Sequence, residues 1–413
     1  MLNENSPHQT RGSGSPQAVV IGLDCVTGLQ TARILSRRSV PVIGVAADLK
    51  HYCCWTNACQ KILRADHLSD ELIHVLSQYG PELAHRAVLY PCTDLSVQLL
   101  SRHRQCLERW YHVDLPAHEI VELLMDKEQF YVYCQKEGFR IPKTLFLRTK
   151  EELEFAAQVL KFPCVLKPPV KTPIWQQSTP FKVYKANNVE ELRALYGECF
   201  EWAEVMIVQE WVEGSDADLY TCYGYFAADS EPIATFVARK IRQWPPLVGT
   251  SSLGEECRND TVLAESVRLF NKLRYRGFGY LEFKQDRNTG EYFIMEPNVG
   301  RPGVRSAIAE AGGVELLYAK YCYTVGWPLP VSLVQKYGNA KWIYWLRDFR
   351  SAFYYWRRGE LTLRNWWRSW RGRKVSAVFC WRDPVPFLAD LLRIVPKLLK
   401  KIRGRRSIQP ITL

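Results

Sequence analysis

The 413-residue chain has a net charge of +12, with 47% hydrophobic and 24% charged residues. That length holds two or three domains with real cores, and the balance is that of a globular protein rather than a disordered or fibrous one. No apolar run is long enough to span a bilayer, and the thirteen cysteines include no CxxC pair or zinc-ligand pattern, so reduced, mostly buried thiols are expected in preference to a disulfide framework or a zinc scaffold.

The charge is uneven. Residues 339–413 hold eighteen Lys and Arg against four Asp and Glu, so this end is +14 and the remainder −2. Seven of the fourteen tryptophans lie there too: Trp342, Trp345, Trp356, Trp366, Trp367, Trp370 and Trp381. At the other end, residues 1–16 are polar and rich in Ser, Gly and Pro, without the basic start and apolar middle of a signal peptide. They are expected to be a disordered leader on a cytoplasmic protein.

Taken in order, AVVIGL (18–23), TARILSRR and VPVIGVAA (40–47) read as strand, helix and strand at βαβ spacing, and AVLYPCTD (87–94) repeats the strand and polar turn. A doubly wound domain is expected over 17–115. Gly22 and Gly28 do not make a dinucleotide fingerprint, which favours a structural or substrate-lining role over nucleotide binding. Leu115 to Gly138 is helical in pattern, broken by GFRIPKT. A helix near 150–160, the strand PCVLKP, a polar loop over 171–182, an amphipathic helix over 188–202 and strands at 205–212 and 218–227 follow. The expected fold class is α/β and α+β: the doubly wound domain, a mixed module over 116–330, and a basic helical C-terminal extension over 331–413.

The chemistry concentrates in LEFKQDRNTGEYFIMEPN (281–298), two alternating segments around the turn residues Asn288, Thr289 and Gly290. Folded as a hairpin, it puts Glu282 opposite Glu296 to within about one residue, with Asn298 on the same face. Two carboxylates and an amide oxygen are the hard-oxygen donors that magnesium takes. Cations accompany them. Lys167 ends an apolar strand, where a charge is costly unless an anion meets it. Lys127 starts a helix, Arg239, Lys240 and Arg242 follow the strand TFVA, and Arg301 and Arg305 follow the carboxylates. Singly each is an ordinary surface cation; together they suffice for a triphosphate and a substrate carboxylate.

These features come in a telling order: Asp126-Lys127, Gly138-x-x-x-Pro142, PxVxKP (163–168), QExVxG (209–214), GxGxxExK (277–284), then Glu296, Asn298 and Arg301. The succession resembles the ATP-grasp superfamily over about residues 17–330. Within it, RKIRQWPP (239–246) and EPNVGRPG (296–303) resemble the carboxylate–amine ligases of the D-aspartate ligase-like branch. The resemblance implies a pre-ATP-grasp domain followed by a two-lobed ATP-grasp module, which activates a carboxylate with ATP and magnesium (manganese as the alternative) and joins it to an amine. By position it implies that Lys127 and Lys167 contact ATP phosphates, with Lys240 alongside. Glu210 and Val212 present backbone to adenine, and Asp218 meets the ribose. Glu282, Glu296 and Asn298 hold the metal, while Arg239, Arg242 and Arg301 bind the substrate carboxylate and acyl phosphate.

Two departures stand out. Residues 170–182, where the family has a Gly-rich phosphate-covering loop, contain no glycine, and Asn298-Val299-Gly300-Arg301 replaces Asn-Pro-Arg. A catalytically silent ATP-binding module is therefore the first alternative to the ligase. The second places the function in the tail. Leu388, Leu391, Leu392, Val395, Leu398, Leu399 and Ile402 form one apolar face within 383–406, ahead of a basic end. That fits a peripheral anionic membrane surface or a helix packed on its own domain; nucleic acid ranks below both for want of a fold signature. Small-molecule carboxylate and amine substrates and a homodimer are the expected partners.

Overall fold

The computed structural model describes residues 14–170, 173–246 and 249–393. The first sheet takes the apolar runs predicted for it: β1 (Ala18–Ile21), β2 (Val42–Ala46), β3 (Lys61–Arg64), β4 (Ala87–Pro91) and β5 (Tyr111–His112). All five are parallel, in the order β3-β2-β1-β4-β5. β1, β2 and β4 are buried throughout, as a parallel sheet covered on both faces requires. The helix Val26–Ser36 leaves β1 at once. A Cβ on Gly28 would lie 2.2 Å from the Gly22 carbonyl, so glycine here lets the helix pack directly on the strand end. The predicted leader falls mostly outside the described residues. Its last residue is tied down, because Tyr321 Oη donates to the Pro16 carbonyl at 2.6 Å.

The helices His118–Met125 and Lys127–Lys136 lead into a small antiparallel sheet of β6 (Thr144–Leu147), β7 (Cys164–Lys167), β8 (Tyr184–Ala186) and β9 (Met206–Glu210), ordered β6-β9-β7-β8. The helices Lys150–Val159 and Val189–Cys199 belong to this lobe, which has its own core around Leu147, Leu166, Leu192 and Val208. The expected polar loop here is partly helical. Pro173–Ser178 forms a turn and a half, with Trp175 buried and its indole N–H donating to the Phe181 carbonyl. A tryptophan in an otherwise polar stretch is what draws this segment inward.

The third sheet has seven strands: β10 (Leu219–Phe226), β11 (Pro232–Trp244), β12 (Thr250–Glu256), β13 (Gly277–Gln285), β14 (Tyr292–Val299), β15 (Lys341–Ile343) and β16 (Lys374–Ser376), ordered β14-β13-β10-β11-β12-β15-β16. The C-terminal extension is thus not helical alone. It supplies β15 and β16 to the edge of this sheet, with the helices Trp345–Arg357 and Leu363–Ser369 between them. It also reaches back to the helix Val26–Ser36 of the first domain. Arg33 donates to Asp383 at 2.8 Å and to the Val378 and Asp383 carbonyls, all buried. No helix among the described residues is long and apolar enough to cross a membrane. The basic helix predicted over 383–406 lies outside the described residues beyond Arg393.

Candidate active site between the two lobes

β13 and β14 pair antiparallel with Glu282 directly opposite Glu296. β10 brings Thr221 beside Glu282 and Leu219 beside Lys284, and residues paired across a ladder share a face. One face of the seven-stranded sheet therefore carries Glu282, Glu296, Lys284, Thr221 and Leu219 toward the small lobe. β11 adds Lys240, whose Nζ stands 3.3 Å from Glu282 Oε2. Burial alone would raise the Glu282 carboxyl, but Lys240, Arg305 and Arg301 outweigh it and hold it below the ordinary value. Glu296 is half exposed, and the nearest cation among the described residues is Lys127 Nζ at 3.9 Å.

Two adjoining cavities meet at this pair. One, of about 510 Å³, runs between the lobes past Lys127, Lys167, Glu210, Val212, Lys284 and Glu296. Its floor includes Met125, Val165, Leu219 and Met295, an apolar slot with a cationic end, as a planar base with a charged tail requires. The other, of about 330 Å³, is lined by Lys240, Gln243, Ser251, Glu282, Glu296 and Arg305. Lys182 borders both.

The structure brings some of the predicted residues together and not others. Lys127 opens the helix Lys127–Lys136, whose N-cap Asp126 accepts from the Glu128 and Gln129 amides at 2.8 and 3.0 Å. Lys167 Nζ is held by Tyr131 Oη and Gln209 Oε1, both at 3.1 Å, with no carboxylate beside it among the described residues. At the end of β9, the Glu210 and Trp211 amides are spent on the Lys143 and Pro163 carbonyls. The Val212 amide has no hydrogen-bond partner among the described residues, although Val212 lines the cavity. Asp218 is absorbed by its own turn, accepting from the Ser215 amide and hydroxyl and from Arg287, and does not line either cavity.

The arginines depart furthest from expectation. Arg239 alternates with Lys240, so it points to the opposite face, where it pairs with Glu255 beside Lys341. Arg242 would face the cleft with Lys240 in an unbroken strand. A bulge intervenes: Lys240 pairs with Gly254, but Arg242 pairs with Leu253, which turns Arg242 to the far face. There it makes a buried bidentate contact with Asp348, both bonds 2.9 Å. Arg301 bridges Asp94 of the first domain, the Tyr280 hydroxyl and Asn298 Oδ1, so the Asn298 amide oxygen is already engaged.

Three contributors escaped the site set drawn from the sequence. Arg305 is fully buried and donates to Tyr223, Ser251 and Thr221 beneath Glu282. Lys284 donates to the Gly214 and Ser215 carbonyls at 2.9 and 2.6 Å, and burial lowers its pKa. Its period-two spacing from Glu282 was a usable signal. Lys182 had none.

No group of three or more His, Cys, Asp or Glu is placed to hold a metal ion among the described residues. A cation here would rest on Glu282 and Glu296, hard oxygens in register, with phosphate oxygens completing its shell; the donor chemistry fits magnesium or manganese.

No family model matches the chain. A D-aspartate ligase of Enterococcus faecium (strain Aus0004) is 23% identical over 263 residues, covering 60% of this chain and about three fifths (61%) of that relative's length. Among solved structures, N5-carboxyaminoimidazole synthetase from Staphylococcus aureus complexed with ADP superposes with a TM-score of 0.60 at 12% identity, over 78% of this chain and 80% of that one. A biotin carboxylase from Campylobacter jejuni gives 0.60 at 13% identity, over 78% and 74%. Phosphoribosylglycinamide synthetase from Anaerococcus prevotii gives 0.57 at 16% identity, over 76% of each. The chain has the ATP-grasp fold, and it is a distant sequence relative of a D-aspartate ligase.

Proposed function

We propose that this chain is an ATP-dependent carboxylate–amine ligase. The observation that carries the reading is the in-register Glu282–Glu296 pair at the meeting point of an apolar, lysine-ended slot and a second, cation-lined cavity. Adenine lies in the slot against Met125, Val165, Leu219 and Met295, with the free Val212 amide donating to it. The phosphates extend to Lys127 and Lys167. Glu282 and Glu296 hold the divalent cation, which when bound draws charge from the phosphoryl oxygens. Lys240 and Arg305 face the second cavity, so the substrate carboxylate sits there in place of the Arg239 and Arg242 site expected from the sequence.

In this arrangement a carboxylate oxygen attacks the γ-phosphorus and ADP leaves. Lys127, Lys167 and Lys240 offset the charge on the transferring group. The amine then displaces phosphate from the acyl phosphate through a tetrahedral intermediate, sheltered between the lobes. No side chain need act as a strong base, since positioning supplies most of the gain.

The test is phosphate release from magnesium-ATP against pooled carboxylates and amines, beginning with D-aspartate because of the relative it names. Release requiring both an acid and an amine is expected. Glu296→Ala should lower it about a thousandfold with an unchanged circular dichroism spectrum, several kcal/mol of charge stabilisation being lost. Full activity in that variant would remove the cation site. The absence of glycine from 170–182, together with the burial of Trp175, favours a second reading: a silent ATP-binding module. ATP binding with no release under any pool would select it.

A further inference from the structure

We propose that the paired helices Trp345–Arg357 and Leu363–Ser369 form a docking face for the phosphate-rich surface of an anionic membrane. Residues 345–374 hold nine Lys and Arg against Asp348 and Glu360. Asp348 is wholly buried, so Glu360 alone offers negative charge outward. A shallow cleft of about 540 Å³ opens on this face, lined by Arg364, Trp367, Arg368, Trp370, Arg371 and Lys374. Among the described residues no carboxylate pairs with Arg364, Arg368 or Arg371, whereas Arg33, Arg38, Arg239 and Arg242 are each matched.

The apolar side chains of this face point outward too. Leu363 and Trp367, four apart on one helix, are 56% and 65% exposed. Phe349, Phe353 and Trp356 repeat at four and three on the other and are about half exposed. Phe349 meets Trp366 and Trp370 edge-on at 5.3 and 5.9 Å, and Trp370 in turn meets Trp367 at 5.2 Å, so the rings run on from one helix to the other. The inner side of the short helix is what holds it. Trp366 and Trp370 donate their indole N–H groups to Asp348 at 3.1 and 3.0 Å. The exposed set is thus presented rigidly and need not be ordered on binding.

Cations without partners, mixed with exposed indole, phenyl and leucine side chains, match the headgroup boundary of a bilayer. Rings enter the acyl edge there while guanidinium groups meet phosphates. A nucleic acid would use the cations and Trp367 but leave Leu363 and Phe353 without a role. This face uses none of the residues of the terminal basic run, and it is coupled to the cleft. Asp348, which pins it, also grips Arg242 of β11, the strand that carries Lys240.

The test is flotation of the full chain with vesicles of equal parts phosphatidylglycerol and phosphatidylcholine, against phosphatidylcholine alone. Binding to the anionic vesicles only is expected. Combined Arg364→Glu, Arg368→Glu and Arg371→Glu should weaken it at least about a hundredfold, at roughly fivefold per basic residue. Trp367→Ala should weaken it about tenfold with every charge retained. Failure of the wild-type chain to float would overturn the proposal. So would loss of flotation in Lys400→Glu/Lys401→Glu while the triple variant floats normally, which would put the contact in the terminal run. Binding of a single-stranded oligonucleotide, lost in the triple variant, without any flotation would overturn it in favour of nucleic acid.

Discussion

Two carboxylate sites on opposite faces of the same sheet are built in opposite ways. Asp348, under the C-terminal helices, has no exposed surface and accepts from Arg242 twice, from Trp366, from Trp370 and from Ser252. Glu296, on the cleft face, is half exposed and stands 3.9 Å from its nearest cation among the described residues. One group has every lone pair answered; the other has its capacity open. A saturated buried carboxylate organises structure, because any ligand would have to displace several bonds to reach it. An under-used carboxylate facing a cavity is where a ligand gains most. The cations divide likewise: Arg242 and Arg239 are closed into ion pairs, whereas Lys127 and Lys167 point into the cleft with little opposing charge.

Breaking the saturated site should give the largest effect. Asp348→Ala leaves Arg242 buried and unpaired and frees two indole donors, so a loss of about 3–5 kcal/mol is expected in urea unfolding. The helix Leu363–Ser369 should undock, read as a red shift in tryptophan emission. A loss below about 1 kcal/mol would mean that Asp348 is no hub. Lys167→Ala should act the other way round, on the ligand rather than the fold. Losing one charged hydrogen bond to a phosphate weakens ATP binding about ten- to a hundredfold by calorimetry, with little change in stability. An unchanged affinity would move the phosphates out of the cavity assigned to them.

The same contrast explains what the sequence disclosed. The hairpin register was legible because period two and the Asn288-Thr289-Gly290 turn fix it locally, and Glu282 and Glu296 do meet. The parallel sheet was legible because doubly buried strands are continuous apolar runs. Arg239 and Arg242 were not separable from Lys240 in RKIR, since alternation removes the first and a bulge the second, and nothing local to the sequence announces a bulge between Lys240 and Arg242. The role of Asp348 was equally hidden: its partner is 106 positions away. The strands of the C-terminal extension were masked by its basic, tryptophan-rich composition, which reads as helical tail until β15 is seen to complete β12.

Lys320 tests an intermediate case, a buried cation with no carboxylate at ion-pair distance among the described residues. It is 1% exposed and lies over the Tyr90 and Phe278 rings at 4.8 and 5.3 Å, and burial lowers its pKa to about 8. Between that value and the ordinary 10.5 the unfolded chain binds the extra proton, so stability from this group rises with pH across the window and is lowest below pH 8. Lys320→Met should therefore stabilise the protein by about 1–2 kcal/mol at neutral pH, after loss of the ring contacts is counted. The advantage should fade as pH climbs through the window. A pH-independent difference in unfolding free energy would show that the amine is not held at a cost.

The smallest expected effect sits at the unpaired arginines of the C-terminal face. Arg364→Ala and Arg368→Ala remove side chains that form no ion pair among the described residues, so each should change the unfolding free energy by less than about 0.5 kcal/mol. Read beside Asp348→Ala, this separates the two roles a charge takes on one helix pair: the inner carboxylate fixes the helices to the sheet, and the outer cations contribute nothing to that attachment. A cost above 1 kcal/mol at Arg364 would mean that its charge is already satisfied within the protein, and with it the reason to assign that face an external partner would be gone.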